Sequence, residues 1–283
     1  MVVKFLGSAT TDAPPSAAEV RTTDLRKHPK FQSRLLSGER ELIVYLPPGY
    51  DRQPHHRYPV LYLHDGQNLF DETTAYVPGM DWKVDETAES LITQHAIQPL
   101  IIVGIYNAGV HRVDEYTPTK DPKLGGGRAD LYGRMLVEEV RTFIDQRYRT
   151  LDGAANTGLG GSSLGGLVSL YLGLQYPDVF GKLAVLSPSI WWGNKAIIGM
   201  IKKADPRPSL RIWLDMGTKE GSRGLSDVRL LRRTLVGKGW TEGKDLHYEE
   251  VAGAVHNEAA WAARVGPVLR FLFPLSSPPE TTS

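Results

Sequence analysis

The feature that most constrains the fold is a repeated alternation of short apolar runs with stretches of helical pattern. Runs that are apolar on both faces are typical of central strands in a sheet that helices cover on both sides. The alternation therefore predicts an α/β fold with a mostly parallel central sheet and helices on both faces. A helix is predicted from about Asp130 to Arg147. The predicted strands lie at 40–50, 58–66, 100–109, 156–161, 182–189, 210–217 and 246–253.

The two ends of the chain differ in composition from the part between them. Residues 7–19 are rich in Ser, Thr, Ala and Pro, and the sequence closes with SSPPETTS. Chain ends of this kind are commonly frayed. We therefore expect a flexible segment at residues 1–20, a single domain at 21–274 and a flexible tail at 275–283. A chain of 283 residues is long enough for such a domain to bury a full core.

Composition excludes several classes of protein. The chain has no Cys, which rules out disulfides, thiolate metal sites and a cysteine nucleophile. Its formal net charge is +1, so no chain-wide field favours nucleic acid or an anionic membrane. No apolar stretch approaches the roughly 20 residues that span a bilayer, and the start lacks a signal-type apolar region. We expect a cytoplasmic protein whose partner is a small molecule, while the sequence does not predict an oligomeric state.

Two adjacent serines lie between pairs of glycines in GLGGSSLGGLVSL, residues 158–170. A nucleophilic serine on a tight turn from strand to helix needs small residues two places before and two places after it, the pattern G-x-S-x-G. Centred on Ser163, these residues are Gly161 and Gly165, whereas centred on Ser162 the second is a leucine. The pattern therefore favours Ser163 as a nucleophile. The glycines do not form a phosphate-binding loop, because G-x-x-x-x-G-K-[ST] is absent.

A nucleophilic serine also needs a base to take its proton and a third group to hold that base. Among eight histidines, His256 follows the last predicted strand in a glycine-flanked loop, which is the position expected of the base. The acid should lie between Ser163 and His256 in chain order. The stretch LDMGTKEGS offers Glu220 in a loop and Asp215 inside an apolar run. We favour Glu220, because a loop carboxylate can reach across to His256, and Asp215 stays as the alternative.

Two backbone N–H groups should stabilise the negative oxygen of a tetrahedral intermediate. One is expected from Leu164, directly after the nucleophile, and the other from Gln67 in LHDGQNLF, where Gly66 lets the chain turn sharply. Asp65 is interpreted as ordering this turn. Asp65 and Asp71 without a histidine partner would make a poor metal site. We expect neither a metal nor a cofactor.

With these residues assembled, the sequence resembles the putative-esterase family of α/β-hydrolases from about residue 25 to residue 273. That family includes enterochelin esterases, feruloyl and acetyl-xylan esterases, S-formylglutathione hydrolases and mycolyl transferases. The resemblance implies Ser163 as nucleophile, Glu220 as acid, His256 as base, and Gln67 with Leu164 as oxyanion donors. It rests on VYLPPGYD, RYPVLYLHDGQNLFD, WKVDE, VGIYN, RVDEYTP, GGSSLGG, LSPSIWW, MGTKEGS and GAVHNEAAW.

The sequence gives few clues to the substrate. The stretch IWWGNKAIIGMIKKADPRPS between two predicted strands is too short for a large lid, so we expect an α/β-hydrolase fold with a minimal cap and an open site. Trp191 and Trp192 follow a strand end, where one could stack on a sugar or phenolic ring and both could wall the acyl site. The other candidates for the rim of the substrate site are Trp82, Asn107 and Arg112.

Together these observations predict a serine carboxylesterase that hydrolyses short-chain acyl esters through an acyl-enzyme and needs no cofactor. The alternatives are a siderophore esterase of the enterochelin type, a feruloyl or acetyl-carbohydrate esterase, a thioesterase and an acyl transferase. A binding module without catalysis is the least favoured, because such a module tends to lose one member of the triad, and this chain keeps all three residue types in order.

Overall fold

The computed structural model describes residues 23–275. The strands are β1 (Asp24–Gln32), β2 (Glu39–Leu46), β3 (Val60–His64), β4 (Ile101–Ile105), β5 (Lys120–Asp121), β6 (Gly125–Gly126), β7 (Thr157–Ser162), β8 (Lys182–Leu186), β9 (Arg211–Gly217) and β10 (Leu246–Val251). Eight of them form one sheet in the order β1-β2-β4-β3-β7-β8-β9-β10, and β5 and β6 form a small hairpin. Pairing is antiparallel from β1 through β2 to β4 and parallel from β4 to β10. The expected mostly parallel sheet is confirmed.

The helices connect these strands across both faces of the sheet. They are α1 (Val84–Thr93), α2 (Arg112–Glu115), α3 (Ala129–Arg134), α4 (Arg141–Arg147), α5 (Leu164–Gln175), α6 (Trp192–Lys203), α7 (Ser222–Gly237) and α8 (Glu258–Leu272). A π-helical segment, Met135–Val140, joins α3 to α4, so the helix predicted from about Asp130 to Arg147 is continuous. Among the described helices, none is long and apolar enough to cross a membrane.

Two cores lie on opposite faces of the sheet, because side chains alternate along each strand. In β3, Val60 and Tyr62 join the core covered by α3 to α7, whereas Leu61 and Leu63 join the core covered by α1 and α8. All five residues of β3 are buried. The sequence of β3 is apolar throughout because this central strand is covered on both faces, as expected from the sequence.

Strand β1 was not predicted by the apolar pattern. Its sequence, DLRKHPKFQ, is largely polar, and only Phe31 is buried. The strand lies at the edge of the sheet, where one side needs no partner, and its pairing with β2 shifts register between His28 and Phe31, next to Pro29. An edge strand tolerates a proline at such an irregularity.

The domain boundaries expected at residues 21 and 274 stay a prediction. The segment expected to be flexible at residues 1–20, and residues 276–283 of the expected tail, lie outside the described residues. For the site, the important outcome is that the carboxyl ends of β3, β7, β8, β9 and β10 meet at one edge of the sheet. Loops at that edge are where ligands bind in open α/β sheets.

Candidate active site

Ser163 occupies a tight turn between β7, which ends at Ser162, and α5, which begins at Leu164. Its φ is 57° and its ψ is −119°, a strained conformation for a residue with a side chain. The glycines on either side of Ser163 let neighbouring segments of the same chain approach closely. A Cβ atom on Gly161 would lie 3.2 Å from the Cα of Gly165 and from the Cβ of His64. The small residues of G-x-S-x-G therefore have the steric role expected of them.

Leu164 and Gln67, the two residues expected to supply N–H donors, each lie directly after a strand of the sheet or after its turn. Leu164 is the first residue of α5, so its N–H belongs to the helix end that lacks intrahelical partners. Gln67 lies in a short 3-10 turn, Gly66–Asn68, directly after β3. The hydroxyl of Ser163 hydrogen-bonds to the hydroxyl of Ser189, with the two oxygens 3.2 Å apart.

His256 and Glu220 form a close pair in the loops after β10 and β9. The Nδ1 of His256 lies 2.7 Å from Oε2 of Glu220. The Glu220 side chain is 2% exposed, whereas that of His256 is 46% exposed. Burial opposes ionisation of Glu220, but hydrogen bonds from His256, Ser187 and the N–H of Gly217 outweigh it, so the pKa of Glu220 lies below its ordinary value.

Asp215, the alternative acid, lies behind this pair and binds other groups. Its Oδ1 is 2.5 Å from Nη1 of Arg264, and its Oδ2 accepts a hydrogen bond of 2.7 Å from the indole of Trp213. Burial raises the pKa of Asp215 to about 6, against the opposing effects of Arg264 and the Trp213 and Ser187 N–H donors. The structure thus places Glu220, and not Asp215, against the imidazole of His256.

The turn after β3 differs in one detail from the expectation. The residue in the left-handed conformation is Asp65, with φ of 57°, and not Gly66. Gly66 is needed for close packing instead, because a Cβ there would lie 2.7 Å from the backbone of Gly104 and Ile105. The Asp65 carboxylate accepts two hydrogen bonds from Arg112, of 2.7 and 2.8 Å, and one of 2.7 Å from Asn107. Asp65 orders the turn, as interpreted from the sequence.

Two cavities meet at His256. The larger, of about 450 Å³, includes in its wall Asp65, Gln67, Asn107, Arg112, Ser163 and His256. The smaller, of about 310 Å³, includes in its wall Ser189, Trp191, Glu220, Arg223 and His256. Ser163 and His256 therefore face a common space, with a second space on the other side of the imidazole.

The five residues expected at the substrate rim divide into two groups. Asn107 and Arg112 line the larger cavity, and Trp191, a residue that is 42% exposed, lines the smaller one. Trp82 and Trp192 are wrong as rim residues, because both are buried. The ring of Trp82 packs 5.8 Å from that of Trp261 in the core beneath α8, and the indole of Trp192 donates to the carbonyl of Thr119.

Four residues at this site were not singled out from the sequence. Ser187 and Ser189 follow β8 in LSPS, and a serine directly after a buried strand was the available signal. Arg223 lines the smaller cavity at the start of α7. Arg264 lies on α8 with its side chain 3% exposed. It gave no signal, since arginines on a helix are usually exposed.

Known proteins resemble this chain in sequence and in fold. A family model described as "Putative esterase" matches residues 33–272. The uncharacterized protein YbbA of Bacillus subtilis is 29% identical over 250 residues, covering 84% of this chain and 94% of that protein. The iron(III) salmochelin esterase of Escherichia coli is 28% identical, over 81% of this chain and 53% of the relative. The BES protein of Bacillus cereus superposes with a TM-score of 0.72 at 22% identity, covering 94% of this chain and all of that one. The expected α/β-hydrolase fold is confirmed.

Proposed function

The chain belongs to the putative-esterase family and is a carboxylic ester hydrolase, and we propose that it works as a serine carboxylesterase on short-chain acyl esters. The observation that carries the proposal is the pairing of His256 with Glu220 at the cavity that Ser163 also lines. A carboxylate on Nδ1 fixes the imidazole with its other nitrogen, Nε2, free to act as a base. No cofactor enters the proposed reaction.

In the first half of the reaction, the Oγ of Ser163 attacks the ester carbonyl carbon and its proton passes to Nε2 of His256. The hydroxyl must first turn away from Ser189, its partner in the free enzyme. The carbonyl oxygen becomes negative and is stabilised by the N–H groups of Gln67 and Leu164. Glu220 stabilises the imidazolium that forms.

The bond between the carbonyl carbon and the alcohol oxygen then breaks, which completes the first half and forms the acyl-enzyme. The alcohol leaves with the proton from Nε2, and the acyl group stays on Ser163. Water then attacks the acyl-enzyme, giving its proton to His256, and the acid is released as the serine recovers its proton. If an acceptor alcohol replaces this water, the same residues perform acyl transfer, and a thioester would follow the same steps.

The charge balance of the larger cavity and the exposed ring in the smaller one support a small ester substrate. Arg112 lines the larger cavity, but its charge is balanced by Asp65 at 2.7 Å, so this wall offers no free cation for a strongly anionic ester. Trp191 offers an exposed ring in the smaller cavity. A phenolic or carbohydrate alcohol stacked on that ring is the favoured leaving group. The second candidate is a siderophore ester, which the salmochelin esterase relative supports.

The test is hydrolysis of p-nitrophenyl acetate, butyrate and octanoate, with methyl ferulate and a catecholate siderophore ester alongside. We expect rates that fall with chain length and a decrease in kcat on the order of 10⁴-fold or more for Ser163→Ala. Ser162→Ala is the matched control and should keep most of the activity, since Ser162 is the buried last residue of β7. Labelling of Ser163 by a fluorophosphonate should disappear in Ser163→Ala alone.

Two results would contradict the proposal. Equal loss of activity in Ser162→Ala and Ser163→Ala, with both variants folded, would show that the nucleophile is misassigned. No turnover of any ester by the folded wild type, together with no fluorophosphonate labelling, would favour a binding module. Turnover of the siderophore ester alone would replace the short-chain substrate with the second candidate.

Trp191 provides a separate test of the leaving group. Trp191→Ala should raise KM for phenyl acetate, whose leaving group is a phenol, by about 2- to 13-fold, because one aromatic contact is worth roughly 0.5–1.5 kcal/mol. The KM for ethyl acetate should hardly change. Tyr76→Ala is the matched control, since Tyr76 is an exposed aromatic at the larger cavity. If Tyr76→Ala raises the KM for phenyl acetate and Trp191→Ala does not, the aromatic leaving group binds in the larger cavity.

A further inference from the structure

Ser187 lies between helix α8 and the acid Glu220, and its hydroxyl has a fixed direction. Its Oγ receives one hydrogen bond from the indole of Trp261, at 3.0 Å, and one from Nη1 of Arg264, at 3.2 Å. A hydroxyl accepts two hydrogen bonds and donates one. With both acceptor positions used, the Ser187 proton points to Oε1 of Glu220, 2.7 Å away.

Glu220 is consequently surrounded by donors. Its Oε1 accepts from Ser187 and, at 2.8 Å, from the N–H of Gly217. The Nη2 of Arg264 lies 3.5 Å from the same oxygen. Hydrogen bonds to the ionised form of a carboxyl favour that form. An ionised Glu220 in turn requires the His256 proton on Nδ1, at 2.7 Å from Oε2.

Arg264 is the buried cation between two buried carboxylates. Its side chain is 3% exposed, while those of Asp215 and Glu220 are 0% and 2% exposed. Two carboxylates this close to each other resist joint ionisation unless a positive charge lies between them. Trp261 of the same helix also packs its ring edge-on against His256, with centroids 4.8 Å apart. One turn of α8 thus contacts both members of the pair.

We propose that Arg264 is a positioning residue, which directs the Ser187 proton to Glu220 and balances Asp215 so that Glu220 stays ionised and His256 keeps its proton on Nδ1. The inference rests on the proposed function. Its consequence is that the charge on Asp215 and the charge on Arg264 act on His256 in opposite directions.

Other charged groups face the same pair. Arg223 at the start of α7 lines the smaller cavity with Glu220 and His256. Glu258 at the start of α8 lines the larger cavity. Across that cavity lies the ion pair of Asp65 and Arg112. All four groups are unchanged in the variants below, so their influence on His256 is common to every measurement.

The test compares Arg264→Gln with Asp215→Asn and uses two readouts, the acid limb of the kcat/KM profile and an NMR titration of the His256 imidazole. Loss of a cation favours the imidazolium, so Arg264→Gln should shift both readouts to higher pH by about one unit. Loss of an anion should shift both to lower pH, by about half a unit in Asp215→Asn. Arg270→Gln is the matched control, because Arg270 is exposed on the same helix.

Ser187→Ala removes the connecting hydroxyl and keeps both charges. We expect its kcat to fall by about tenfold with little change in KM, because one hydrogen bond to a charged group is lost at the acid. If Arg264→Gln does not fold, Asp215→Asn and Ser187→Ala still carry the test. Loosened packing alone would lower kcat in each variant without shifts of opposite sign.

The proposal is overturned if the titration of His256 is the same in the wild type and in every folded variant, or if the shifts have the same sign. This outcome is distinguishable from failure of the proposed function. The NMR titration follows the imidazole without turnover, whereas the proposed function fails if Ser163→Ala keeps its activity.

Discussion

Two regions at the same edge of the sheet contain the same three residue types in different pairings. At the end of β3, the carboxylate of Asp65 is bound by Arg112, and His64 hydrogen-bonds to the hydroxyl of Tyr132 at 2.9 Å. Burial, with a smaller effect from Arg112, lowers the pKa of His64 to about 3 although Asp65 opposes this. The arginine takes the carboxylate, and the histidine stays neutral.

At the ends of β9 and β10 the pairing is reversed. The carboxylate of Glu220 binds His256, and the arginine of this region, Arg264, binds Asp215. His256 is 46% exposed at two cavities, whereas His64 is 1% exposed. A histidine next to acids therefore becomes a base only if a carboxylate is free to bind it and the imidazole reaches a cavity.

The largest expected effect tests which histidine is the base. His256→Gln should lower kcat by about 10⁴-fold, because neither the proton acceptor nor the donor to the alcohol remains. His64→Gln should keep activity within about tenfold. Kinetics with p-nitrophenyl acetate and urea unfolding of both variants check this. If His64→Gln, while folded, is the more damaging variant, the comparison between the two regions is wrong.

A second test concerns the pH dependence of stability. The folded protein excludes a proton from His64 that the unfolded chain takes up below about pH 6.5. The contribution is therefore complete above pH 6.5 and decreases as the pH falls from 6.5 towards 3, by about 2 kcal/mol at pH 5. Urea unfolding between pH 7.5 and 4.5 should show a shallower loss for His64→Gln than for the wild type.

His55→Gln serves as the control for this measurement, because His55 is exposed in the loop before β3. It should reproduce the wild-type loss of stability with decreasing pH. Parallel curves for the wild type and His64→Gln would mean that His64 takes up a proton in the folded protein. The first region would then no longer differ from the second in the protonation of its histidine.

How much of this arrangement the sequence predicts depends on how local its cause is. The turn at Ser163 follows from neighbouring glycines, and the order of Ser163, Glu220 and His256 along the chain places each after a strand. Turn chemistry of this kind is encoded by adjacent residues. The mostly parallel sheet follows for the same reason, since each central strand carries its own apolar run.

Features that depend on distant partners could not be predicted in this way. Trp82 is buried because Trp261, far along the chain, packs against it. The choice between Glu220 and Asp215 was left open because Arg264, which binds Asp215, belongs to a helix with no signal for it. Burial and pairing are tertiary properties, and a residue type alone does not decide them.

The smallest expected effect tests whether the first region only shapes the cavity. Arg112→Gln removes both of the Arg112 hydrogen bonds to Asp65 and leaves the bond from Asn107. Because the Arg112 side chain is 27% exposed, water can replace part of this pairing. We expect a loss of stability of about 1–2 kcal/mol by urea unfolding and a decrease in kcat of less than about tenfold.

Arg112→Lys is the control that keeps the charge and loses the two-pronged geometry. If both variants lose little activity, the Arg112 cation takes no part in the reaction and the first region only shapes the cavity. A loss of activity in Arg112→Gln comparable with that of His256→Gln, with the fold intact, would mean that the Arg112 cation takes part in the reaction. The two regions would then share the chemistry, and the neutrality of His64 would not be what separates them.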